Sequence, residues 1–322
     1  MLRLHVSTPA DLTEAIVDVL QGTEAVSSLA LIRGASVLPA GDLVVADVAR
    51  EGANDIVNRL RDLGVHQRGT VHIEPVTTWL SRAGLTAEQA TPGSSADAVV
   101  WAQVVQHSYE DVEFNWTYVS FMVLATFIAG IAIVLDSQIL VIGAMVLGPE
   151  FGAVAALGVA LVRRRGLLLG LAARALAFGF GIAIAATCAA ALVGRALGWV
   201  ALTDVEGPRP GTAFIYTPDK WSFIVAVLAA AAGVLSLTSA RVGGLSGVFI
   251  SVTTIPAAGN VALGLAFGAW KEVWGSSLQL VVNILGMALA GWLTLALQQA
   301  VWSRVPARRS RLLPGTGDDR PR

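Results

Sequence analysis

One carboxylate lies in the middle of a long apolar stretch of this chain. Glu150 follows Pro149 there, and it is the only acidic residue within any of the long apolar segments. A charged side chain at the centre of a membrane-spanning helix costs on the order of 3 kcal/mol on insertion scales. We therefore expect Glu150 to be protonated, paired with another group, or facing water. A carboxyl group in such a position can bind a proton or a cation.

Neutral polar side chains surround a second proline, Pro256, in another apolar segment. Thr253, Thr254 and Asn260 flank it, and the last apolar segment adds Gln279 and Asn283. Hydroxyl and amide groups of this kind can bind a small polar solute, or they can hydrogen-bond neighbouring helices to each other. Both interpretations remain open.

Arg174 is the candidate partner of Glu150, because it is the only basic residue inside the third apolar segment. The alternative is that its side chain extends toward the membrane surface. The sequence thus predicts a substrate- or ion-binding site formed by Gly148, Pro149, Glu150, Arg174, Thr253, Thr254, Pro256, Asn260 and Asn283.

The two prolines predict interrupted helices at matching positions. Gly152 and Gly259 each follow their proline by three residues. Proline removes a backbone donor and clashes with the preceding turn, so a break at Gly148-Pro149 or at Pro256 leaves backbone groups in need of partners. Interrupted segments at corresponding positions of two halves indicate a transporter site in an inverted repeat. The alternative is a pair of ordinary proline kinks.

The composition predicts the elements that must hold these residues. Of 322 residues, 55% are hydrophobic and 14% are charged, and the mean hydropathy is +0.67. These values exclude an ordinary soluble domain and predict a polytopic α-helical membrane protein. Six segments are long enough to span a bilayer, arranged as three plus three in residues 117–303. They are 117–135, 139–162, 167–194, 221–240, 242–269 and 273–302.

The distribution of basic residues predicts the orientation of these spans. With the amino terminus inside, ten arginines lie in the cytoplasmic connections and tail, and only four basic residues lie outside. The positive-inside rule therefore predicts a multi-pass protein of the inner membrane with both termini cytoplasmic. We expect residues 304–322 to form a disordered basic tail. We expect residues 195–220, which contain three prolines, to form an external loop or cap.

The amino-terminal region has a different character. Residues 1–115 carry 7 arginines against 15 acidic residues, whereas residues 116–322 carry 15 basic residues against 8 acidic ones. Residues 1–90 predict the element order β-α-β-β-α-β, a ferredoxin-like α+β domain similar to ligand-sensing modules of the ACT kind. Residues 91–116 predict a linker and an amphipathic helix, which either lies at the bilayer surface or packs as an ordinary linker helix.

Three histidines raise the alternative of a metal site in this domain. His5, His66 and His72 are well separated along the chain, and no cysteine or close histidine pair supports coordination. We therefore predict no metal. We also predict no cofactor.

The residues Ile142-Gly-Ala-Met-Val-Leu-Gly-Pro149, followed by Gly247 to Pro256 and Gly259, resemble a prokaryotic membrane family described as domain of unknown function 389. The resemblance covers roughly residues 110–300 and implies an integral inner-membrane protein, often with a soluble amino-terminal region. It implies no activity and no substrate. Glu150-Phe151 departs from the family pattern, in which apolar residues often follow the first proline.

Two functions from different classes follow from these patterns. The first is a transporter or channel for an ion or small polar solute, with a regulatory cytoplasmic domain. The second is a membrane-anchored sensor or scaffold whose amino-terminal domain binds a small ligand or a protein. We expect the lipid bilayer as a partner and no nucleic acid, and a homo-oligomer is compatible with the sequence. Enzyme motifs such as His-Glu-x-x-His, Gly-x-Ser-x-Gly and the P-loop do not occur, so we predict that the protein is not an enzyme.

Overall fold

The computed structural model describes residues 1–93, 98–212, 215, 220–238 and 254–302. They form two compact units. Met1–Val104 is the body of the first unit, and Val105–Leu237 with Val242–Gln299 makes up the second.

The first unit contains a four-stranded antiparallel sheet, as the sequence predicts. The strand order is β2-β3-β1-β4. Along the chain its elements are β1 (Leu2–Thr8), α1 (Ala10–Gln21), β2 (Val26–Val37), β3 (Ala40–Val48), a 3-10 turn (Arg50–Gly52), α2 (Ala53–Asp62), α3 (Val65–Arg68), β4 (Thr70–Pro75) and α4 (Arg82–Ala90).

Alternating side chains build the core of this unit. On β1, Leu2, Leu4 and Val6 are fully buried, and the side chains between them lie on the opposite face. Alternation of this kind is what a strand with one covered face requires. The helices contribute Ile16, Leu20, Ile56 and Leu60 to the same core.

The histidines of the first unit are only partly grouped. His5 on β1 lies directly opposite His72 on β4, and His66 lies in α3. Within the described ranges, no three metal-ligating side chains of the His, Cys, Asp or Glu type lie together.

The helix α4 was missed by the sequence analysis. Ser81 caps it by accepting a hydrogen bond from the backbone N–H of Gly84 at 3.0 Å. A serine at the position before a helix is a known start signal, but the segment that follows has weak apolar periodicity. The predicted amphipathic helix of residues 97–116 is present as the shorter α5 (Trp101–Asp111).

The remaining helices are apolar or short. They are α6 (Trp116–Val134), α7 (Gln138–Leu147), α8 (Glu150–Val162), α9 (Gly166–Ala196), α10 (Leu202–Glu206), α11 (Lys220–Thr238), α12 (Thr254–Phe267) and α13 (Trp270–Trp302).

Three of these helices, α6, α9 and α13, are long and apolar enough to cross a membrane. The pair α7 and α8 forms a fourth candidate if it counts as one span with a bend of 56°. The helices α11 and α12 are apolar but shorter. Each of the six predicted segments contains apolar helix, yet the described residues support three spans, or four, rather than six. Residues 239–253, which include the end of the fourth predicted span and the first part of the fifth, lie outside the described part of the chain.

The helices α8 and α12 are enclosed on nearly all sides within the second unit. In α12 only Leu265 is exposed, and in α8 only Leu161 is. By contrast, α6, α9 and α13 each carry an exposed apolar face. These two short apolar helices are therefore the most buried ones, and the long helices lie around them.

Glycines allow these helices to pack closely. A Cβ atom on Gly158 of α8 would lie 3.1 Å from the backbone nitrogen of Trp292 on α13. A Cβ atom on Gly259 of α12 would lie 3.0 Å from the Cβ of Ala129 on α6. Such contacts between helix backbones need small residues.

The connection between α9 and α11 is packed against the turn between α6 and α7. Asp136 in that turn accepts hydrogen bonds from the backbone N–H of Gly211 at 3.1 Å and from Oγ1 of Thr212 at 2.8 Å. The connection also contains the short helix α10. Of the two predicted forms, loop or cap, these contacts favour a cap over one end of the helices.

Candidate functional site

The second predicted span is broken at the predicted position. The helix α7 ends at Leu147, Gly148 takes an extended conformation, and α8 begins at Glu150 with Pro149 as its N-cap. The axes of the two helices differ by 56°. The first turn of α8 therefore presents backbone N–H groups that have no acceptor within the helix itself.

Glu150 lies at this break and is almost completely buried, with 1% of its surface exposed. Its Oε1 accepts a hydrogen bond of 2.8 Å from the Thr254 hydroxyl. The structure thus brings together two predicted site residues that are 104 positions apart in the chain. The predicted residue Thr253 lies outside the described part of the chain.

Pro256 lies inside the described part of α12 rather than at an interruption within it. It is the third residue of Thr254–Phe267 and is buried. Proline is tolerated in the first turn of a helix, where backbone N–H groups have no intrahelical acceptor. The described part of the fifth predicted span thus runs continuously through Pro256.

Two features act on the charge of Glu150. Its position in the first turn of α8 favours the carboxylate, because the helix dipole is positive there. Burial opposes the charge, since an ion loses its hydration inside a protein. Tyr118 of α6 is also buried and is close enough to interact electrostatically with Glu150. Because these two effects oppose each other, the carboxyl group of Glu150 is suited to bind and release a proton or a cation.

Asp111 lies against the same turn of α8 and was not predicted as a site residue. A Cβ atom at Gly152 would lie 2.7 Å from Cγ of Asp111, so the glycine makes room for this acid. Asp111 keeps part of its surface exposed, yet burial of its carboxyl group raises its pKa, with a further contribution from the charge of Glu110 and an opposing one from His107. Gly152 was noticed in the sequence, but nothing there indicated what it faces.

A second polar cluster joins α12, α13 and the connection before α11. Arg209 donates from Nη1 to Oδ1 of Asn260 at 3.1 Å and from Nη2 to Oε2 of Glu272 at 3.1 Å. Asn260 in turn donates from Nδ2 to Oε2 of Glu272 and to Oγ of Ser276, both at 2.8 Å. Arg209 is only 5% exposed. Asn260 was a predicted site residue, whereas Arg209 and Glu272 were not.

Gln279 and Asn283 continue this cluster along α13. Both are 2% exposed. Among the described residues, Nδ2 of Asn283 has no hydrogen-bond partner. A buried amide donor without a partner costs on the order of 1–3 kcal/mol, so this group is available to a ligand.

Arg174 is not paired with Glu150 in the structure. It is exposed on α9, and its guanidinium lies over the ring of Phe178, 5.6 Å from the ring centre. It also lines a surface groove with Glu110 and Glu113. Pairing with Glu150 would bury both charges, and the desolvation of two ions is costly.

The apolar helices and the buried acid are the features that define the class of this protein. The chain contains several long apolar helices compatible with a membrane protein, and a buried acid lies at the break between two of them. The model of the family described as Domain of unknown function (DUF389) matches residues 145–289, in agreement with the resemblance predicted from the motif around Pro149. The matched segment contains Glu150, Thr254 and Asn283. No curated protein and no solved structure matches the chain.

Proposed function

We propose that this protein is an integral membrane transporter or channel for an ion or a small polar solute. The observation that carries the proposal is the hydrogen bond between Glu150 and Thr254. It is formed where an apolar helix is broken, and both residues are buried among the other apolar helices. Ionisable residues inside membrane helices are costly and are retained mainly where they bind or relay an ion. The exposed leucines and tryptophans of α9 and α13 support a lipid environment for these helices.

An inverted repeat is the arrangement that we propose for the helices. Pro149 precedes α8 and Pro256 lies at the start of the described α12, and each is followed after three residues by a glycine that makes a close contact. The two helices meet at the Glu150–Thr254 hydrogen bond. Two corresponding half-helices that meet near one polar site are typical of transporters built from repeats. We retain six spans with both ends cytoplasmic as part of this proposal.

A pair of ordinary kinks explains the prolines but not the acid. A kink needs small residues and a few satisfied backbone groups. It does not need a carboxyl group that is 1% exposed. Because desolvation of a charged carboxylate costs several kcal/mol, a purely structural break would be more stable with an apolar residue at position 150.

The test is flux through the purified full-length protein in liposomes, measured for protons, monovalent and divalent cations and small neutral solutes. We expect Glu150→Gln to abolish flux. Thr254→Val should reduce it about ten-fold or more, since a hydrogen bond to a charged group contributes about 1.5–3 kcal/mol.

The matched control is Thr126→Val. Thr126 is also fully buried, but its hydroxyl donates to the carbonyl of Met122 in its own helix at 2.8 Å. This variant should keep normal flux. Absence of flux of any tested species in the unmutated protein, or unchanged flux in Glu150→Gln, would refute the proposal.

For the amino-terminal unit we propose a regulatory role in a ferredoxin-like domain. The strand order β2-β3-β1-β4 with helices between the strands supports that assignment. A full-length protein that binds a small ligand but moves no solute would favour the second candidate, a membrane-anchored sensor. Deletion of residues 1–90 should leave flux intact and remove its regulation. If deletion abolishes flux in a folded protein, the domain is part of the transport machinery.

A further inference from the structure

The helix α13 carries a stripe of four polar side chains, which we call the polar stripe. Glu272, Ser276, Gln279 and Asn283 are spaced by four, three and four residues, and such spacing places them along one face of a helix. The last three are at most 2% exposed. The hydrogen bond from Asn260 to Ser276 shows that this face points at α12.

The polar stripe extends to the level of Glu150. A Cβ atom on Gly264 of α12 would meet Val273 of α13, and Asn260 contacts Ser276, so the two helices run antiparallel. Continuing this pairing by six residues, or about 9 Å of helix, places Thr254 level with residue 282, directly beside Asn283. Thr254 holds Glu150.

A separate contact supports this position. Gly158 lies eight residues after Glu150 on α8, and a Cβ atom there would be 3.2 Å from the backbone of Gly291. Gly291 lies eight residues after Asn283 on α13. With α8 and α13 running in the same direction, as the first count requires, this second count also places Asn283 near the depth of the Glu150–Thr254 hydrogen bond.

At its other end the polar stripe holds a cation that belongs to the protein itself. The guanidinium of Arg209 is bound by the carboxylate of Glu272 and the amide oxygen of Asn260. Carboxylate and amide oxygens are also ligands that bind cations. The guanidinium of Arg209 thus occupies a site that a mobile cation could fill.

We propose that the polar stripe is the route by which a small cation moves between the Glu150–Thr254 site and the Arg209 end. In this structure Arg209 closes that route, and the amide oxygen of Asn283 is a further cation ligand beside Glu150. The route has a carboxyl group at each end and only neutral polar side chains between them, so it favours a cation over an anion. This inference rests on the proposed function and specifies its substrate class.

The test uses cysteine accessibility in the full-length protein in liposomes. Cys188, the only cysteine of the chain, is first replaced by serine. Single cysteines then replace Ser276, Gln279 or Asn283 and are exposed to membrane-impermeant methanethiosulfonate reagents, one cationic and one anionic. The controls on the outer face of the same helix are Leu278→Cys, Val282→Cys and Leu285→Cys, at positions 40–58% exposed.

We expect slow reaction of the three stripe cysteines while Arg209 is present. In an Arg209→Ala background they should react about ten-fold faster or more, because a thiol reacts as the thiolate and needs water around it. The cationic reagent should react faster than the anionic one. The three control cysteines should stay unreactive in both backgrounds, since they face lipid in our proposal.

Glu272→Gln is the second background, because it weakens the hold on Arg209 while keeping the size of the side chain. Each background is first checked by gel filtration and thermal unfolding. Stripe cysteines that remain unreactive in whichever background folds, or that react no faster than the controls, would overturn the route. Faster reaction with the anionic reagent would overturn the substrate class.

The labelling result is independent of the flux result. Reactive stripe cysteines in a protein that moves no tested species would show that water reaches the polar stripe, but would refute transport. Flux that depends on Glu150, together with unreactive stripe cysteines, would support transport by another route.

Discussion

In the first unit a core of large apolar side chains is fully buried, whereas in the second unit many large apolar side chains are on the outside. Leu4, Ile16 and Leu20 are fully buried in the first unit. In the second, Leu285 and Trp274 are exposed, and the fully or almost fully buried side chains include polar ones: Thr126, Glu150, Thr187, Arg209, Thr254, Asn260, Ser276, Gln279 and Asn283.

This difference has a physical cause. Water drives apolar side chains inward, because burying their surface is favourable by roughly 25 cal/mol per Å². Lipid supplies no such force between helices, which then associate through close packing of small residues and through polar contacts. In the membrane location that we propose for the second unit, one chain follows two rules of assembly. The two rules predict different responses to the same substitution.

The largest difference is expected for leucine-to-alanine substitutions. Leu4→Ala, in the core of the first unit, should lower the free energy of unfolding by about 2–5 kcal/mol, because it removes buried methyl groups and leaves a cavity. Leu285→Ala, on the exposed face of α13, should cost much less. Thermal unfolding of the full-length protein in detergent, monitored for each unit by limited proteolysis, measures both. Equal losses for the two variants would remove the contrast between the units.

A charged residue should produce the next largest contrast. Leu285→Arg places a charge near the middle of α13, which costs on the order of 3 kcal/mol when that helix is in a bilayer. Leu80→Arg, at a fully exposed position of the first unit, should change stability by less than about 0.5 kcal/mol. The fraction of protein recovered in the membrane after expression is the measurement. Normal membrane recovery of Leu285→Arg would mean that α13 does not face lipid there.

Glycines of the second unit provide a smaller effect that tests close packing. Gly259→Ala should destabilise the protein by about 1–3 kcal/mol, because its Cβ would be pressed against Ala129 and the backbone of Gly130. Gly170→Ala on α9, where no atom lies within 4 Å of the added Cβ, should be neutral or stabilising by up to about 1 kcal/mol. Thermal midpoints in detergent decide between these outcomes, and a loss of stability in Gly170→Ala would indicate an unseen contact.

The smallest expected effect concerns a buried acid of the first unit. Asp42 accepts hydrogen bonds from the backbone N–H of Gly34 at 2.8 Å and from the hydroxyl of Thr13 at 2.7 Å, and these hold its pKa below the ordinary value. Its stabilising contribution is therefore complete above about pH 4 and is lost as the pH falls through the lowered pKa of the folded state.

The measurement is the thermal midpoint of the first unit between about pH 6 and pH 3, since the ordinary pKa lies between these limits. Asp42→Asn should remove part of the decline seen in the unmutated protein at acidic pH. Thr13→Val, which removes only one of the two donors, should give an intermediate slope. An unchanged slope in Asp42→Asn would assign the acid sensitivity to other carboxylates.

The sequence predicted the site best where a residue contradicts its surroundings. Glu150 and the break at Pro149 were found because an acid and a proline are both costly in an apolar helix. Thr254 was also a predicted site residue, but its hydrogen bond to Glu150 was not predicted, because Arg174 was chosen as the partner. The four-stranded sheet of the first unit was predictable from alternation, since its strands have one covered face.

The parts that sequence reasoning missed depend on contacts between distant segments. Arg209 and Glu272 are separated by 63 residues, and each resembles an ordinary charged residue near the end of an apolar segment. Asp111 gave no signal either, because its contact with Gly152 depends on how α5 meets α8. Arg174 was matched to Glu150 on charge alone, which does not show which face of α9 a side chain occupies.

The position of the polar stripe along one face of the helix has a mechanical consequence for α13. A rotation of this helix by one residue about its axis, about 100°, would move four polar groups together toward hydrocarbon and bring leucines into their place. The polar stripe therefore opposes axial rotation of α13. In the route that we propose, opening would separate α13 from α12 by tilting or sliding, with the polar stripe still facing α12.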